Sequence, residues 1–285
     1  MHGSRLGDVL RRSAMGAVLA GLMVTLVPTA PAYAADVSCT YNGTTHVATV
    51  TTTALDTEAD IMRAAGTTFI TVNAGLCMGG PTSAATITNT KRIVVNLNGG
   101  ENRANINLSL GAFAPGFGNE RGTSDEIEFT VNGDADDVLA IVGRSGADRI
   151  RLGTTNGQPR VNLNAQETTG VDADITVNGT GSLWVFGVGG NDTISANGAK
   201  GTGSPLVSRI EFVGGTGNDT LTGGMGNDSL FASSTDADPD DHDAIKGMAG
   251  TDLIDVADGD GLDEIDGGAA TDQCVTDVGD AVVGC

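Results

Sequence analysis

A nine-residue repeat near the C-terminus constrains the fold of this chain more than any other feature. Residues 214–222 and 223–231 both fit the pattern G-G-x-G-x-D-x-U-x, in which U is a large apolar residue. After an insertion the phase returns in degenerate form, and three of the five steps between successive aspartates are nine residues long. The aspartates of this series are Asp219, Asp228, Asp243, Asp252, Asp263 and Asp272. Such phasing predicts a coil of stacked, equivalent units.

Each unit is expected to contain a turn followed by a short strand. Glycines in the first six positions tolerate backbone angles that a β-carbon would forbid, which suits a tight turn. The last three positions predict a strand whose apolar side chain faces inward. These side chains are expected to stack as one thin ladder: Leu221, Leu230, Ile245, Ile254, Ile265 and Cys274. The pattern therefore predicts an all-β, coiled architecture.

The turns also carry the oxygen atoms that a hard cation requires. Each turn combines backbone carbonyls with one carboxylate, and Ca²⁺ binds about six to eight such oxygens at roughly 2.3–2.6 Å. Two units make one coil of about 18 residues, so an ion can bridge equivalent turns on the same side. We expect up to about four sites, at the pairs Asp219/Asp243, Asp243/Asp263, Asp228/Asp252 and Asp252/Asp272. The expected carbonyl ligands are those of Gly214, Thr216, Gly223 and Met225.

An alternative interpretation treats Gly-Asn-Asp and Gly-Thr-Asp simply as turn residues between strands. Six phased units favour a cation instead, and so does the charge. Residues 214–285 contain 17 Asp and Glu residues but one basic residue, Lys246, for a net charge of 1 − 17 = −16, within −21 for the whole chain. Carboxylates repeated on stacked turns would repel one another unless cations neutralised them.

The motif resembles the hemolysin-type (RTX-like) calcium-binding repeats of secreted bacterial proteins. The C-terminal run of residues 263–285 is also similar to the end of many such proteins from actinobacteria. The resemblance implies a right-handed parallel β-roll, or β-helix, with calcium in its C-terminal turns, and calcium binding at the matching aspartates. It covers residues 214–274 and does not extend to the toxin, protease or lipase activities of other domains in that family.

The N-terminus predicts export from the cell. Residues 1–34 have the form of a secretory signal peptide: a basic segment with Arg5, Arg11 and Arg12, an apolar run at 14–27, and an A-x-A cleavage site at 32–34. The apolar run is too short to span a bilayer, and no later stretch is long enough. We expect a mature chain that begins at Ala35, leaves by the general (Sec-type) route and is extracellular, without a membrane span.

All four cysteines lie in the exported part, and an oxidising exterior predicts two disulfides. Of the three possible pairings we favour Cys39–Cys77 and Cys274–Cys285, because they would cap the two ends of a solenoid. A zinc site is the alternative, but the chain has no C-x₂-C pair and no histidine near its cysteines.

The mature chain divides into three expected regions. Residues 35–130 form an N-terminal degenerate solenoid or cap region, 131–213 degenerate rungs, and 214–285 the calcium-binding roll with its C-terminal cap. In the first region we predict strands at 47–51, 69–72, 85–88 and 93–97, and one or two helical turns at 54–65. Residues 99–107 fit the nonapeptide frame with Ala104 in place of the aspartate.

Weaker candidates lie upstream of the clear repeats. Asp137 and Asp148 occupy ligand positions but have no stacked partner about 18 residues away. Asp192 belongs to a better unit, yet the position 18 residues later is Ile210, which would leave its site incomplete. The acidic insertion 232–241 is either part of a calcium site or an acidic loop. Residues 111–124 are interpreted as a packing flap or a binding loop, and Trp184 and Phe186 as strand aromatics or a ligand platform.

The sequence argues against most enzyme classes. It contains no H-E-x-x-H and no G-x-S-x-G motif, and its acidic charge disfavours nucleic acid. We therefore expect a secreted, non-enzymatic calcium-binding protein whose repeats fold on extracellular calcium. One alternative is an adhesion module with a cell-surface or matrix partner. Another is a β-helix enzyme acting on acidic polysaccharide through basic residues: Arg144, Arg149, Arg151, Arg160 and Arg209.

Overall fold

The fold is described from a computed structural model, which covers residues 36–118, 126–164, 172–233, 241–259 and 261–285. The predicted signal peptide lies outside the described residues. So do residues 119–124 of the predicted 111–124 loop and Asp236, Asp238 and Asp240 of the acidic insertion. Within the described ranges no helix has the length and apolar character needed to cross a bilayer.

The described residues form β-strands and no α-helix, as predicted. The first eleven strands are β1 (Val37–Asn42), β2 (Val47–Thr52), β3 (Glu58–Arg63), β4 (Ile70–Val72), β5 (Gly75–Leu76), β6 (Arg92–Asn96), β7 (Arg103–Asn107), β8 (Glu128–Asn132), β9 (Val138–Val142), β10 (Arg149–Thr155) and β11 (Gln158–Asn162). The other eleven are β12 (Ile175–Asn178), β13 (Ser182–Gly189), β14 (Thr193–Ser195), β15 (Ile210–Thr216), β16 (Thr220–Thr222), β17 (Ser229–Phe231), β18 (Ala244–Lys246), β19 (Leu253–Asp255), β20 (Glu264–Asp266), β21 (Gln273–Val275) and β22 (Ala281–Val283).

The strands belong to two mixed sheets. The first sheet has twelve strands in the order β1-β2-β6-β8-β12-β11-β10-β14-β16-β18-β20-β22. The second has ten, in the order β21-β19-β17-β15-β13-β9-β7-β3-β4-β5. From β13 onward, consecutive strands alternate between the sheets, and each pairs in parallel with the strand two further along the chain. This alternation is what a coil with two strands per turn requires.

The inward residues of the repeats form two facing ladders rather than the single predicted ladder. Leu221 pairs with Ile245 and then Ile265 in the first sheet. Leu230 pairs with Ile254 and then Cys274 in the second. The five aliphatic residues are buried in one hydrophobic cluster, and Cys274 packs against it. The sequence period identified the residues, but it could not show that successive units belong to different sheets.

The middle of the coil contains an insertion in the first sheet alone. Strands β8 and β14 are separated there by β12, β11 and β10, and β11 runs antiparallel to both of its neighbours. In the second sheet β9 pairs directly with β13 and β13 with β15. Residues far apart in sequence therefore meet on adjacent rungs of this part of the coil.

Two local predictions for the N-terminal region are wrong. The segment 54–65 contains strand β3 instead of helical turns, because its alternating residues bury Ala59 and Ile61 on one face. Residues 85–88 form a turn instead of a strand. There the Asn89 side chain accepts the N–H of Thr86 at 2.7 Å and donates to the carbonyl of Ala84 at 2.9 Å, which closes the turn.

Both predicted disulfides are present. Cys39, in β1, is bonded to Cys77, with their Cα atoms 4.9 Å apart. Cys274, in β21, is bonded to Cys285, with a Cα separation of 5.8 Å. Each bond joins an outermost strand of the coil to a non-regular segment, as expected for caps on the open ends of a stacked architecture.

Two aromatic side chains whose roles were left open, Phe113 and Trp184, have packing contacts. Phe113 is buried edge-on against Phe129, with ring centroids 5.0 Å apart, so the described part of the 111–124 segment covers the core. Trp184 is half-buried on β13, with the Arg103 guanidinium 5.9 Å from its ring centre. It is a strand aromatic that packs against a cation.

Candidate metal centre

Two columns of aspartates run along the turns of the coil, and each aspartate immediately precedes a strand. The column that leads into the first sheet contains Asp148, Asp192, Asp219, Asp243, Asp263 and Asp280. The column that leads into the second sheet contains Asp228, Asp252 and Asp272. The six aspartates of the sequence repeat thus lie three in each column. The four pairs predicted from the spacing are neighbours there.

In every aspartate of the two columns after Asp148, one carboxylate oxygen accepts a backbone N–H from the preceding rung. Asp243 Oδ1 accepts the backbone N–H of Asp219 at 2.7 Å, and Asp263 Oδ1 accepts that of Asp243 at 2.8 Å. In the second column the N–H groups of Asp228 and Asp252 donate in the same way to the next aspartate, both at 2.8 Å. The repeating aspartate therefore also serves as a structural acceptor that fixes its own orientation.

The other carboxylate oxygen is buried without a hydrogen-bond partner in five of these residues. The five are Asp192, Asp219, Asp243, Asp252 and Asp272, and none is more than 8% exposed. A buried carboxylate oxygen left in this way carries a large desolvation cost.

Beside this oxygen in Asp192, Asp219, Asp252 and Asp272, a glycine leaves a small cradle. A methyl group placed on Gly214 would lie 2.4 Å from Asp219 Oδ2 and 2.6 Å from the carbonyl oxygen of Ala232. A methyl group on Gly247 would lie 2.4 Å from Asp252 Oδ2 and 2.3 Å from the carbonyl oxygen of Gly267. Any β-carbon would fill this volume, so glycine is required there for space.

Each cradle takes its carbonyl from the following rung. The carbonyl of Gly214, predicted as a ligand, faces the cradle of Gly187 and Asp192. That of Thr216, also predicted, instead accepts the N–H of Gly190 at 2.8 Å. The carbonyl beside Gly223 and Asp228 belongs to Gly247. The donors are therefore all oxygens, from carboxylates and carbonyls, which is the donor set that Ca²⁺ prefers.

Burial makes these carboxylates reluctant to ionise in the absence of a cation. It raises the pKa of Asp219 to about 8; the hydrogen bond from the Asp192 N–H opposes this shift, and nearby carboxylates, Asp243 first, add to it. Burial is also the largest cause of the raised pKa values of Asp192, Asp228 and Asp243, each about 7. It raises the pKa of Asp252 as well. An adjacent positive charge would favour the ionised forms.

Two of the weaker candidates are satisfied by the protein itself. Asp148 accepts hydrogen bonds from the backbone N–H and the Nε of Arg144, both at 2.6 Å, and pairs with the guanidinium. Asp137 accepts the N–H groups of Asn102 and Asp134, both at 2.8 Å. Neither residue has an oxygen left over for a cradle of the kind seen beside Asp219.

The nonapeptide frame predicted at 99–107 is wrong by two residues, because the turn position assigned to Ala104 is held by Asn102. Ala104 pairs with Leu139, so it is an inward residue of β7. Asn102 holds the turn position instead, and its Oδ1 accepts the N–H of Thr57 at 3.0 Å. A neutral amide thus replaces the carboxylate in this rung, so the need for a cation disappears with the charge.

Asp192 stacks on Asp219, not on Ile210. Its backbone N–H donates to Asp219 Oδ1 at 2.7 Å, and Asp192 Oδ1 accepts the N–H of Asp148 at 2.6 Å. The offsets are 27 and 44 residues because the insertion in the first sheet and the segment before β15 lengthen the chain between rungs.

Sequence analysis missed Asp280 and Asp258. Asp280 Oδ1 accepts the N–H of Asp263 at 3.3 Å and so closes the first column. It lies 17 residues after Asp263 and two before the apolar Val282, a signal that could have identified it. No repeat signal marks Asp258, whose carboxylate lies with those of Asp241 and Asp243.

Comparison with known families identifies the repeat. Residues 211–236 match one family model, described as the RTX calcium-binding nonapeptide repeat (4 copies). The chain carries RTX repeats. The matched segment includes Asp219, Asp228 and the first glycines of their cradles, which supports calcium as the cation of the RTX turns. No curated protein and no solved structure matches the chain significantly.

Proposed function

We propose that the chain is a secreted, non-enzymatic calcium-binding protein whose RTX repeats fold as a right-handed parallel β-roll around Ca²⁺ in the turns. One observation carries the proposal. Buried aspartates use one oxygen to join the rungs and leave the other, without a hydrogen-bond partner, beside a glycine cradle. The residues that would hold ions in this way are Asp192, Asp219, Asp252 and Asp272, with carbonyls of the following rungs. Asp228 also lies beside a glycine cradle, but its Oδ2 accepts the N–H of Gly224 at 2.7 Å, so an ion there would share that oxygen with the backbone.

Calcium would supply the positive charge that these rungs lack. The turn residues hold the oxygens in place: the backbone N–H of each earlier rung orients the carboxylate, and the glycine keeps the cradle open. Without a cation, stacked ionised carboxylates repel one another and lose their hydration. Binding to the folded coil alone would add about 1.4 kcal/mol per ion when calcium is tenfold above its dissociation constant.

The Asp148 rung supports this mechanism from within the molecule. There the column contains a cation of its own, since the Arg144 guanidinium pairs with Asp148 Oδ1, while the backbone N–H of Arg144 donates to Oδ2. The following rungs keep the aspartate but have no arginine at the corresponding position, where Val188 and Gly215 stand. A metal ion is the natural replacement for that guanidinium.

Export and a non-catalytic role are supported by separate observations. The signal-like residues 1–34 and the two disulfides agree with an oxidising exterior. The aspartates that would be the obvious acid–base groups are committed to backbone hydrogen bonds within the columns. Right-handedness is supported by the general rule that connections between parallel strands of one sheet are almost always right-handed.

Far-UV circular dichroism of the mature chain tests the proposal. After calcium is removed with a chelator, titration with Ca²⁺ is expected to give a cooperative gain of β-sheet signal. The double variant Asp219→Asn/Asp252→Asn is expected to need at least about tenfold more calcium at its midpoint. The double variant Glu264→Gln/Asp266→Asn is the matched control, because it removes the same charge from exposed positions on β20.

A chelated chain that is fully folded and does not respond to calcium would overturn the proposal. Export is tested separately by N-terminal sequencing of protein recovered from the culture medium, for which Ala35 is the expected first residue. Protein retained inside the cells with an intact N-terminus would contradict it.

A further inference from the structure

Three carboxylates meet in the coil outside the glycine cradles. Carboxylate oxygens of Asp241, Asp243 and Asp258 all lie within 4.8 Å of one another. The three residues are 2%, 1% and 7% exposed. Burying three acids together opposes folding unless protons or a cation offset their charge.

The rungs around this cluster lack the glycine that forms a cradle elsewhere. Strand pairing places Ala232 and Val256 at the positions that Gly187 and Gly214 occupy in the two preceding rungs. Both side chains are buried, and their β-carbons occupy the space that the glycines leave open. The Asp243/Asp263 pair predicted from the repeat therefore cannot form a site of the glycine type.

An oxygen of Asp243 gives independent evidence for a ligand. Asp243 Oδ1 accepts the N–H of Asp219 at 2.7 Å, while Oδ2 is buried and has no hydrogen-bond partner. The neighbouring acids are positioned by the backbone. The Gly217 N–H donates to Asp241 Oδ2 at 3.2 Å, and the N–H of Asp258 donates to the carbonyl of Val256 at 2.9 Å.

We propose that Asp241, Asp243 and Asp258 form a separate cation site, made mainly of carboxylates, for Ca²⁺ or another hard cation. The inference rests on the proposed function, because the same ion would serve both kinds of site. Three carboxylates in place of one give this site a stronger field than any glycine cradle. We therefore expect it to bind Ca²⁺ most tightly and to select trivalent lanthanides over Ca²⁺ more strongly than the cradles do.

The position of the site suggests a structural role. Through Gly217 and Asp241 it contacts the turn of the first full repeat, and through Asp258 it reaches the turn two rungs later. An ion here would bind three successive turns of the first column together, at the point where the repeat frame is interrupted.

Counting bound ions by native mass spectrometry tests the inference on the mature chain. Asp258→Asn and Asp241→Asn are each expected to bind one ion fewer than the parent protein at low calcium, with the tightest site weakened by at least about tenfold. Asp266→Asn removes an exposed carboxylate of β20 and should bind the full number. Tb³⁺ added to the calcium-loaded protein should displace one ion first in the parent, but not in Asp258→Asn.

The possible results separate the two proposals. A parent protein that binds no calcium overturns the proposed function. A parent that binds calcium, with Asp258→Asn and Asp241→Asn equal to it in number and affinity, overturns only the three-carboxylate site. If Asp266→Asn lost as many ions and as much affinity as the other two variants, the effect would be one of net charge alone, which would also overturn the three-carboxylate site. Circular dichroism at saturating calcium checks that each variant is folded. If Asp258→Asn does not fold, the result for Asp241→Asn decides whether the three-carboxylate site exists.

Discussion

At the scale of single residues, the missing β-carbon of Gly247 is needed for the cradle beside Asp252. We expect Gly247→Ala to lower the free energy of unfolding by about 1–3 kcal/mol and to remove one bound calcium ion. The added methyl group would lie 2.3 Å from a backbone carbonyl, which cannot move aside as a flexible side chain could. Isothermal titration calorimetry and thermal unfolding measure the two effects.

The control for this prediction is Gly146→Ala. Gly146 also lies in a turn of the first column, but no atom lies within 4 Å of a β-carbon placed there. The variant should match the parent in calcium stoichiometry and in unfolding temperature. Equal behaviour of the two alanine variants would show that the cradle is not a binding volume.

The raised pKa of Asp219 leads to a second prediction. Its folded-state pKa of about 8 lies above the ordinary value of 3.8, so the folded chain keeps a proton that the unfolded chain releases. The stability of the calcium-free chain should therefore fall as the pH rises from about 4 to about 8. Asp219→Asn cannot ionise, and in chelator at pH 9 it should unfold at a higher temperature than the parent.

Two further measurements check this explanation. At pH 3, which lies below both the ordinary and the folded-state pKa of Asp219, the variant and the parent should unfold at similar temperatures. In calcium at pH 9 the order of the unfolding temperatures should reverse. The parent is then stabilised by bound calcium, which an amide side chain binds more weakly than a carboxylate does. A variant that is less stable than the parent in chelator at every pH would contradict the assigned charge effect.

At the scale of elements, the three-residue strands β18, β19 and β20 each bury one side chain, so single side chains carry much of the packing in the repeats. Ile254 is fully buried between Leu230 and Cys274 in the second sheet. We expect Ile254→Ala to lower the free energy of unfolding by about 2–5 kcal/mol, as measured by denaturant unfolding in saturating calcium. Val275→Ala removes an apolar side chain that is 41% exposed on the adjacent strand and should cost much less.

The limits of sequence analysis are clearest in the same elements. The order of the repeat units correctly paired Asp219 with Asp243 and Asp228 with Asp252, although each offset is 24 residues, because the described part of the insertion at 232–241 adds no strand and leaves the alternation of units between the two sheets unchanged. The spacing of nine failed for Asp148 and Asp192, whose partners are set by strand pairing across inserted segments. It also placed Ala104 in the turn, where Asn102 stands, because a degenerate unit contains too few glycines and acids to fix its frame. Asp258 carries no periodic signal at all.

At the scale of the whole molecule, the two ends of the coil differ in how their turns are neutralised. The N-terminal turns use an amide at Asn102 and a guanidinium at Arg144, whereas among the described residues no arginine is hydrogen-bonded to Asp219 or Asp252. We therefore expect chelation at pH 8 to expose the backbone amides of β16–β21 to hydrogen exchange while β2–β9 remain protected. Mass spectrometry of peptides after exchange makes this measurement. Uniform loss of protection along the coil would show that the chain opens as one cooperative unit.

The aspartate columns also give the coil a direction. In each link the later rung supplies the carboxylate and the earlier rung supplies the N–H. A deletion from the N-terminal side therefore leaves every remaining N–H of a column with its acceptor. A deletion from the C-terminal side instead leaves the N–H group at the new end without its carboxylate acceptor. In a chain released N-terminus first, the aspartate N–H of each rung would lack its carboxylate acceptor until the following rung had emerged and folded. Each rung would then be completed only when the next one folds, and the last rung would complete the whole column.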